Sequence, residues 1–358
     1  MMHAIDATIA VTGVNATDNP APGVAVARAL RHEPAFAGRV IGLGYEALDP
    51  GFYAPGLLDG GAILPYPSHG RAAFFERVKE LQKVFGLEAL LPTLDSELRS
   101  VARLESDLAA IGIRTFVPAL DTIERASKPQ LHRLADGARI RVPDSETVAA
   151  PDGLEKLVRR FGLPLVVKGL YYGAQIVHSE ADALAAFHYF AATWGVPVIV
   201  QRFIDGIEFN VAALGDGTGR MRGAVAMRKL ALTDKGKGWS GVTVDNPDLM
   251  TLAESVVGAL SWRGPLEVEV LSEQGGDMWV IEINPRFPAW IYLAAGAGQN
   301  LPYVCALLAL GLPTPRELPP YRVGTMFVRI SLDQIADLDT FAQLSASGVL
   351  EMRQETPA

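Results

Sequence analysis

The side chains best suited to chemistry in this chain stand in the run Val280-Ile-Glu-Ile-Asn-Pro-Arg286. A β-strand sends alternate side chains to one face. Glu282 and Asn284 therefore point one way, and Ile281 and Ile283 the other. A carboxylate beside an amide oxygen, with Arg286 following, suits Mg2+ and phosphate. Mg2+ takes hard oxygen ligands and shares them with substrate phosphates, while a guanidinium grips phosphate oxygens as a fork. Other groups precede this run in order. Lys128 sits in a predicted helix, and Lys168 ends an apolar strand just before a glycine-bearing loop, Gly169–Ala174. A lysine buried there without an anion would be costly, and backbone N–H groups of such a loop can close over phosphates. Gln201-Arg-Phe-Ile-Asp-Gly-Ile-Glu208 reads as a hinge whose backbone suits an adenine edge, with Glu208 able to accept from ribose hydroxyls. Glu267 and Glu269 share one face of a later strand, so either is a candidate for a further metal carboxylate.

The elements that must hold these groups are legible as alternating patterns. Ala7–Gly13 reads as a buried strand ending in a glycine turn, Val24–Arg31 as a helix and Val40–Gly44 as a strand. Phe74–Phe85 and Glu97–Ile111 are predicted helices, and Ala89–Pro92 and Thr115–Pro118 predicted strands. Short apolar runs alternating with helices imply a parallel sheet with helices on both faces, whose ligand crevice lies at the carboxyl ends of the strands. Thr12, Gly13, Asn15 and Thr93–Asp95 fall at such ends, where turn chemistry and ligand contact both stand open. A long helix is predicted over Thr122–Leu134, then a helix over Asp152–Arg160. Strands follow at Leu165–Lys168 and Gln175–Val177, a helix at Glu180–Thr193 and a strand at Val198–Gln201. Beyond it the pattern turns antiparallel: Phe209–Leu214, Arg222–Leu230, Leu266–Leu271 and Trp279–Ile283. Between them, Ala231–Asp248 is rich in Gly, Lys, Thr and Asp and is predicted to be a mobile loop. Its Lys235-Gly-Lys-Gly-Trp239 stretch is either solvated or closes over substrate. A proline-rich joint, Pro313–Pro320, precedes the last segment, in which Val328–Asp333 is a candidate strand and Arg329 a candidate substrate contact.

Composition narrows the class. The chain has 358 residues, 49% hydrophobic and 20% charged, which reads as a soluble globular protein of two or three domains. A net charge of −8 argues against nucleic acid as partner. Cys305 is the single cysteine and sits in an apolar helix, so an intrachain disulfide and a cysteine metal site are excluded. His69, His132, His178 and His188 show no metal-ligand spacing. The start lacks a basic stretch before an apolar one, and no run approaches the roughly 18 apolar residues of a membrane span. The expectation is a cytoplasmic enzyme with no membrane partner. Gly13 and Pro22-Gly23 do not make the Gly-x-Gly-x-x-Gly turn of a dinucleotide site.

Taken in order, Pro92-Thr-Leu-Asp-Ser-Glu97, Val166-Val-Lys168, Phe203-Ile-x-Gly-x-Glu208, Gly264-Pro-Leu and Glu282-Ile-Asn-Pro-Arg286 resemble the ATP-grasp superfamily, specifically its carbamoyl-phosphate-synthetase-like members. The resemblance spans roughly residues 7 to 300. It implies an α/β and α+β, ATP-grasp fold. An N-terminal Rossmann-like parallel-sheet (pre-ATP-grasp) domain would cover 1–119, an ATP-grasp domain 120–313 with a lid subdomain at about 142–200, and a C-terminal extension 314–358. It implies ATP and two Mg2+ ions, with Mn2+ as a substitute, and a homodimer. By position, Lys128 and Lys168 would hold the α- and β-phosphates. Gln201, Phe203 and Ile204 would line the adenine pocket, and Glu208 would bind ribose. Glu269, Glu282 and Asn284 would hold metal; the spacing from Gly264 favours Glu269 over Glu267, which would face substrate or support a ligand. Arg286 would stabilise the transferring phosphoryl group, and Arg228, with Lys229 its neighbour, would face the γ-phosphate or a substrate carboxylate. The chain departs from the family pattern at Ser127, commonly acidic; at Gln201, commonly Glu; and at Lys168-Gly169 in place of Lys-Pro, with Tyr171-Tyr172 in the loop.

The function so implied is an ATP-dependent carboxylate–amine ligase. A small-molecule carboxylate becomes an acyl phosphate and an amine displaces phosphate, giving amide, ADP and phosphate. A carboxylating or phosphorylating enzyme of the same fold is the alternative, and a non-catalytic nucleotide-binding regulator the alternative from another class.

Overall fold

The computed structural model describes residues 2–16, 19–170, 173–234 and 236–351. Along the chain the elements are β1 (Thr8–Thr12), α1 (Pro22–His32), β2 (Arg39–Gly44), β3 (Gly60–Ile63), α2 (Arg71–Phe85), β4 (Ala89–Leu91) and α3 (Asp95–Ala110). Next come α4 (Leu120–Arg125), α5 (Leu131–Ala138), β5 (Ser145–Val148), α6 (Leu154–Phe161), β6 (Leu165–Lys168), β7 (Ala174–Val177), α7 (Glu180–Trp194) and β8 (Val198–Arg202). Then follow β9 (Ile207–Asp216), β10 (Met221–Leu232), β11 (Gly238–Thr243), α8 (Pro247–Leu260), β12 (Arg263–Ser272) and β13 (Met278–Asn284). The last are α9 (Tyr292–Gly296), α10 (Leu301–Leu310), β14 (Met326–Val328), α11 (Leu338–Ser347) and β15 (Val349–Glu351). Two compact units form. The first takes Met1–Ile123, Val211–Glu267 and Asn284–Ala358, and the second Glu124–Asn210 and Val268–Ile283. Strands β9, β12 and β13 belong to a sheet ordered β13-β12-β9-β10-β11-β14 and carry the chain from one unit to the other.

In the first unit a sheet ordered β15-β3-β2-β1-β4 pairs β1, β2, β3 and β4 in parallel, with β15 antiparallel at its edge. Alternation along the strands explains the helices on both faces. Ile9, Val11 and Val40 pack with Val26 and Leu30 of α1. Ala10, Ile41 and Leu90 pack on the other side with Val78 and Leu81 of α2 and Leu98 and Val101 of α3. The switch in strand order falls between β1 and β4, the usual place for a ligand crevice in such sheets. Helix α1 approaches the end of β1 closely: a Cβ on Gly23 would stand 1.9 Å from the carbonyl oxygen of Thr12. Gly23→Ala is expected to cost about 1–3 kcal/mol of stability, as overpacking does, read as a lower urea midpoint with an unchanged slope.

Several expectations change. Strand β3 was not anticipated, because Gly60-Gly-Ala-Ile is short and half glycine. Thr115–Pro118 is not a strand. Arg114 bridges to Ala89, but the carbonyls of Thr115 and Val117 instead accept from the Arg263 guanidinium at 3.0 and 2.9 Å. The helix predicted over Thr122–Leu134 breaks into α4, a 3-10 turn at Lys128–Gln130, and α5. Pro129 lacks an N–H and disfavours helix at the residue before it, so Lys128 opens the 3-10 turn instead of standing inside a helix. The segment predicted as a mobile loop, 231–248, is largely ordered pairing. β11 pairs antiparallel with β10 through register shifts and with β14 on its other edge, and α8 starts at Pro247. Alternation was hidden there by small and polar residues, which cross-strand neighbours tolerate in a sheet. Thr233 and Lys237 close the turn between β10 and β11 (Thr233 N–H to Lys237 O, 2.8 Å); Lys235, Tyr171 and Tyr172 lie outside the described residues.

The second unit carries an antiparallel sheet ordered β5-β8-β6-β7. Leu165 and Val167 of β6 face a core with Leu157 of α6 and Phe187 and Phe190 of α7. The hairpin β6–β7 is closed by Gly169 N–H to Gly173 O at 3.2 Å. No helix among the described residues is long and apolar enough to cross a membrane.

Candidate functional site

Lys168 is the last residue of β6, which lies between β8 and β7, and it is only 9% exposed. Burial lowers its pKa to about 8, since a low-dielectric setting disfavours the ammonium. The nearby carboxylates of Glu282, Glu269 and Glu208 act in the opposite direction, and the charge of Lys128 adds to the lowering. Lys128 lies 3.2 Å from Glu282 Oε1. Burial pushes the Glu282 carboxyl upward, Glu269 adds to that, and Lys128 and Lys168 oppose it. Thus Lys128, Lys168, Glu208, Glu269 and Glu282, drawn from separate stretches of sequence, form one electrostatic group in the second unit. A small cleft there is lined by both lysines, Ser145, Ile199, Gln201 and Ile281. Gln201 is buried and sits opposite Ser145 in the β5–β8 register. Phe203 and Ile204 follow in the connection to β9 and are not part of that lining; Ile204 is buried and Phe203 half-buried.

A second group belongs to the first unit. Arg286 donates from Nε to Asp95 Oδ2 at 3.0 Å, and its Nη1 lies 3.5 Å from Glu267 Oε2. Glu267, buried, accepts from Trp290 Nε1 at 2.7 Å and from Asn284 Nδ2 at 3.2 Å. A carboxylate accepts only, so the amide of Asn284 turns its nitrogen to Glu267 and its oxygen away. Asp95 and Trp290 were not singled out as partners of this site from sequence. Trp290 follows Arg286 by four residues, and Asp95 lies in the Pro92–Glu97 motif, but only packing shows what they hold. Glu267→Ala would leave the Arg286 guanidinium and two buried donors short of a partner. It is expected to cost about 3–5 kcal/mol, as removing one side of a buried pair does, measured as a fall in the unfolding midpoint.

Of the strand-end residues of the first unit, Thr12 and Thr93 serve the turn. Glu97, fully buried, accepts from Thr12 Oγ1, from Tyr45 OH at 2.6 Å, and from the N–H groups of Thr93 and Leu94 at 3.0 and 3.1 Å. Thr93 Oγ1 donates back to the Thr12 carbonyl at 2.9 Å. This network fixes the β4–α3 loop and hence Asp95 beside Arg286. Arg228 and Lys229 are adjacent on β10, opposite Val242 and Gly241, so they point to different faces; Arg228 is exposed and Lys229 half-buried.

Within the second unit, Glu269 and Glu282 are two mutually close carboxylates, hard oxygens of the kind Mg2+ takes. No group of three or more His, Cys, Asp or Glu among the described residues could hold a metal ion alone. An ion here would depend on ligand oxygens, as nucleotide-bound Mg2+ does.

Residues 195–330 match the family model for ATP-grasp in the biosynthetic pathway with Ter operon. Among curated proteins, the chain is 30% identical over 206 residues to phosphoribosylamine–glycine ligase of Agrobacterium fabrum, covering 54% of this chain and 47% of that protein. It is 26% identical over 225 residues to the carbamoyl phosphate synthase large chain of Pseudomonas syringae, covering 59% of this chain and 20% of that one. The chain thus spans less than half the length of these relatives. Among solved structures, it is similar to the biotin carboxylase domain dimer of Hydrogenobacter thermophilus 2-oxoglutarate carboxylase, described in complex with MgADP, ADP and bicarbonate. That likeness has a TM-score of 0.69 at 14% identity over 90% of this chain and 74% of that one. It is also similar to L-amino acid ligase of Bacillus licheniformis, with a TM-score of 0.65 at 17% identity over 85% and 74%. The order of its motifs, the family match over residues 195–330 and the shared architecture agree on an ATP-grasp fold for this chain.

Proposed function

We propose that this protein is an ATP-dependent carboxylate–amine ligase. The observation that carries the reading is the electrostatic group of Lys128, Lys168, Glu208, Glu269 and Glu282 beside the cleft of the second unit, with Asn284 and Arg286 two and four residues beyond Glu282 in the chain. Lys128 and Lys168 hold the α- and β-phosphates of ATP, and Gln201, Phe203 and Ile204 bound the adenine. Glu208 accepts from ribose. Glu269, Glu282 and Asn284 hold Mg2+, two ions in all, with Mn2+ able to substitute. The metal supplies charge neutralisation on the phosphates. Arg286, fixed by Asp95, meets charge that builds on the transferring phosphoryl group. Arg228, with Lys229 beside it, attracts the γ-phosphate or a substrate carboxylate. The substrate carboxylate attacks the γ-phosphorus and ADP leaves. The amine then attacks the acyl carbon, phosphate leaves, and the amine proton passes to solvent. Catalysis is positioning and charge stabilisation, as in phosphoryl transfer generally.

The domain assignment follows the same reading: 1–119 as the N-terminal domain, 120–313 as the ATP-grasp domain with its lid at about 142–200, and 314–358 as an extension. So do a homodimeric assembly and a cytoplasmic setting. The test is ADP and phosphate release with Mg2+ across pools of amino acids and small carboxylates. Release that needs an acid together with an amine supports the ligase. The likeness to a carboxylase structure favours a second reading, carboxylation; ADP release that needs bicarbonate and no amine would replace the first with it. Tight Mg-ATP binding with no turnover in any pool would favour the nucleotide-binding regulator.

A further inference from the structure

Arg329 follows β14 and turns its side chain inward. Its Nε donates to the carbonyl of Gly238 and its Nη2 to that of Ala289, both at 3.0 Å. Arg28 projects from α1 with its guanidinium 4.1 Å above the ring of Tyr292, three residues beyond Ala289. Tyr292 OH lies 3.3 Å from His32 Nδ1 on the same helix. Among the described residues, neither arginine pairs with a carboxylate, and Arg28 makes no hydrogen bond. Two unneutralised guanidinium groups close enough to interact are unfavourable unless an anion stands by them. The pKa of Arg329 is accordingly lowered, first by burial and then by the charge of Arg28. Asn19 converges on the same place. Its Nδ2 reaches the Gly238 carbonyl at 3.4 Å, the acceptor that Arg329 also uses. Asn19 is 7% exposed, and its Oδ1 is buried with no partner. Buried polar atoms are normally satisfied, so an acceptor left open on Asn19, which shares the Gly238 carbonyl with Arg329, points to a ligand carrying both an anion and a donor.

We propose that Arg28 and Arg329 form a subsite for the carboxylate of an α-amino-acid substrate, with Asn19 Oδ1 accepting from its ammonium. All these residues lie in the first unit. The subsite deepens the ligase reading, which supplies the reason for an amino acid there. It needs no nucleotide, so it is tested by binding alone. Guanidinium–carboxylate recognition is planar and bidentate and falls sharply when the charge is removed.

The protein, labelled with 15N-arginine, would be titrated without ATP with L-alanine, L-leucine and L-glutamate. The controls are the matching amino-acid amides, which keep the ammonium and lose the α-carboxylate, and inorganic phosphate. The expected result is a saturable shift of the Nε–H signals of Arg28 and Arg329 with at least one acid. Its amide should bind at least about tenfold more weakly, and Arg28→Gln should weaken the acid by about 10–100-fold, the range of one charge-assisted contact. Arg28 is exposed on α1, so Arg28→Gln keeps the fold, checked by its unchanged unfolding midpoint. Arg329→Lys keeps the charge but loses the fork and is expected to weaken binding too. No saturable shift with any of the three acids overturns the proposal. So does equal binding of acid and amide, or a preference for phosphate. ADP release without this binding would leave the ligase reading standing and remove only the subsite.

Discussion

Glu282→Ala is expected to remove acid- and amine-dependent ADP release by about 10³-fold, the scale on which loss of one preorganised electrostatic group acts. The substitution takes away the proposed metal carboxylate and also the partner 3.2 Å from Lys128. Two cations, Lys128 and Lys168, would then face one another with less anionic balance. Glu282→Gln separates the effects, because it keeps the shape and one oxygen while removing the charge. Under the proposed role, both variants bind Mn2+ with a non-hydrolysable ATP analogue more weakly, seen as free Mn2+ in its electron paramagnetic resonance spectrum. Wild-type turnover in Glu282→Ala would sink the metal assignment. Lost turnover with unchanged Mn2+ binding would place the effect at the lysines instead.

Lys168 gives the second large effect, and its two consequences run in opposite directions. Its pKa falls from the ordinary 10.5 to about 8 on folding. Between those values the unfolded chain holds the proton and the folded chain has released it, so stability rises with pH across that window. Below about 8 both states are protonated and the full cost of the buried charge is present, on the order of 3 kcal/mol. Lys168→Met removes that cost. The ligand-free variant is expected to unfold at higher denaturant than wild type at pH 7, with the difference vanishing towards pH 10.5. Nucleotide binding should move the other way. Phosphate needs the ammonium, so wild-type affinity for ATP should decline as pH rises through about 8. Lys168→Met should lose about 10–100-fold in affinity, the worth of one charge-assisted hydrogen bond. Isothermal calorimetry at pH 7 and pH 9, beside urea unfolding of the same samples, measures both. A variant that is destabilised at pH 7, or that binds ATP as wild type does, contradicts the role given to this lysine.

These effects trace to residues whose types were readable and whose surroundings were not. Alternation on β13 alone puts Glu282 and Asn284 on one face, because the side-chain period of a strand is fixed by its backbone. The apolar run ending at Lys168 likewise implies a cation at the edge of a core. Prolines and small residues misled. Pro129 split a helix whose apolar spacing ran through it, and Gly238–Thr243 formed β11 without a hydrophobic alternation to announce it.

By itself, then, the order of motifs pointed to the ATP-grasp fold and to the candidate phosphate and metal groups, and the alternation of apolar runs with helices to the parallel-sheet start. Each of these depends on local spacing, which covalent geometry converts directly into direction. Only the tertiary structure decided who partners whom. It placed Asp95 and Glu267 on Arg286, turned the Asn284 amide by giving its nitrogen to Glu267, and brought Asn19 and Arg329 from the two ends of the chain to the one carbonyl of Gly238. Such contacts join residues up to about three hundred positions apart in a chain of 358 residues. They are selected by the packing of whole sheets and by the cost of leaving a buried charge or donor unpaired, a cost no local pattern in the sequence records.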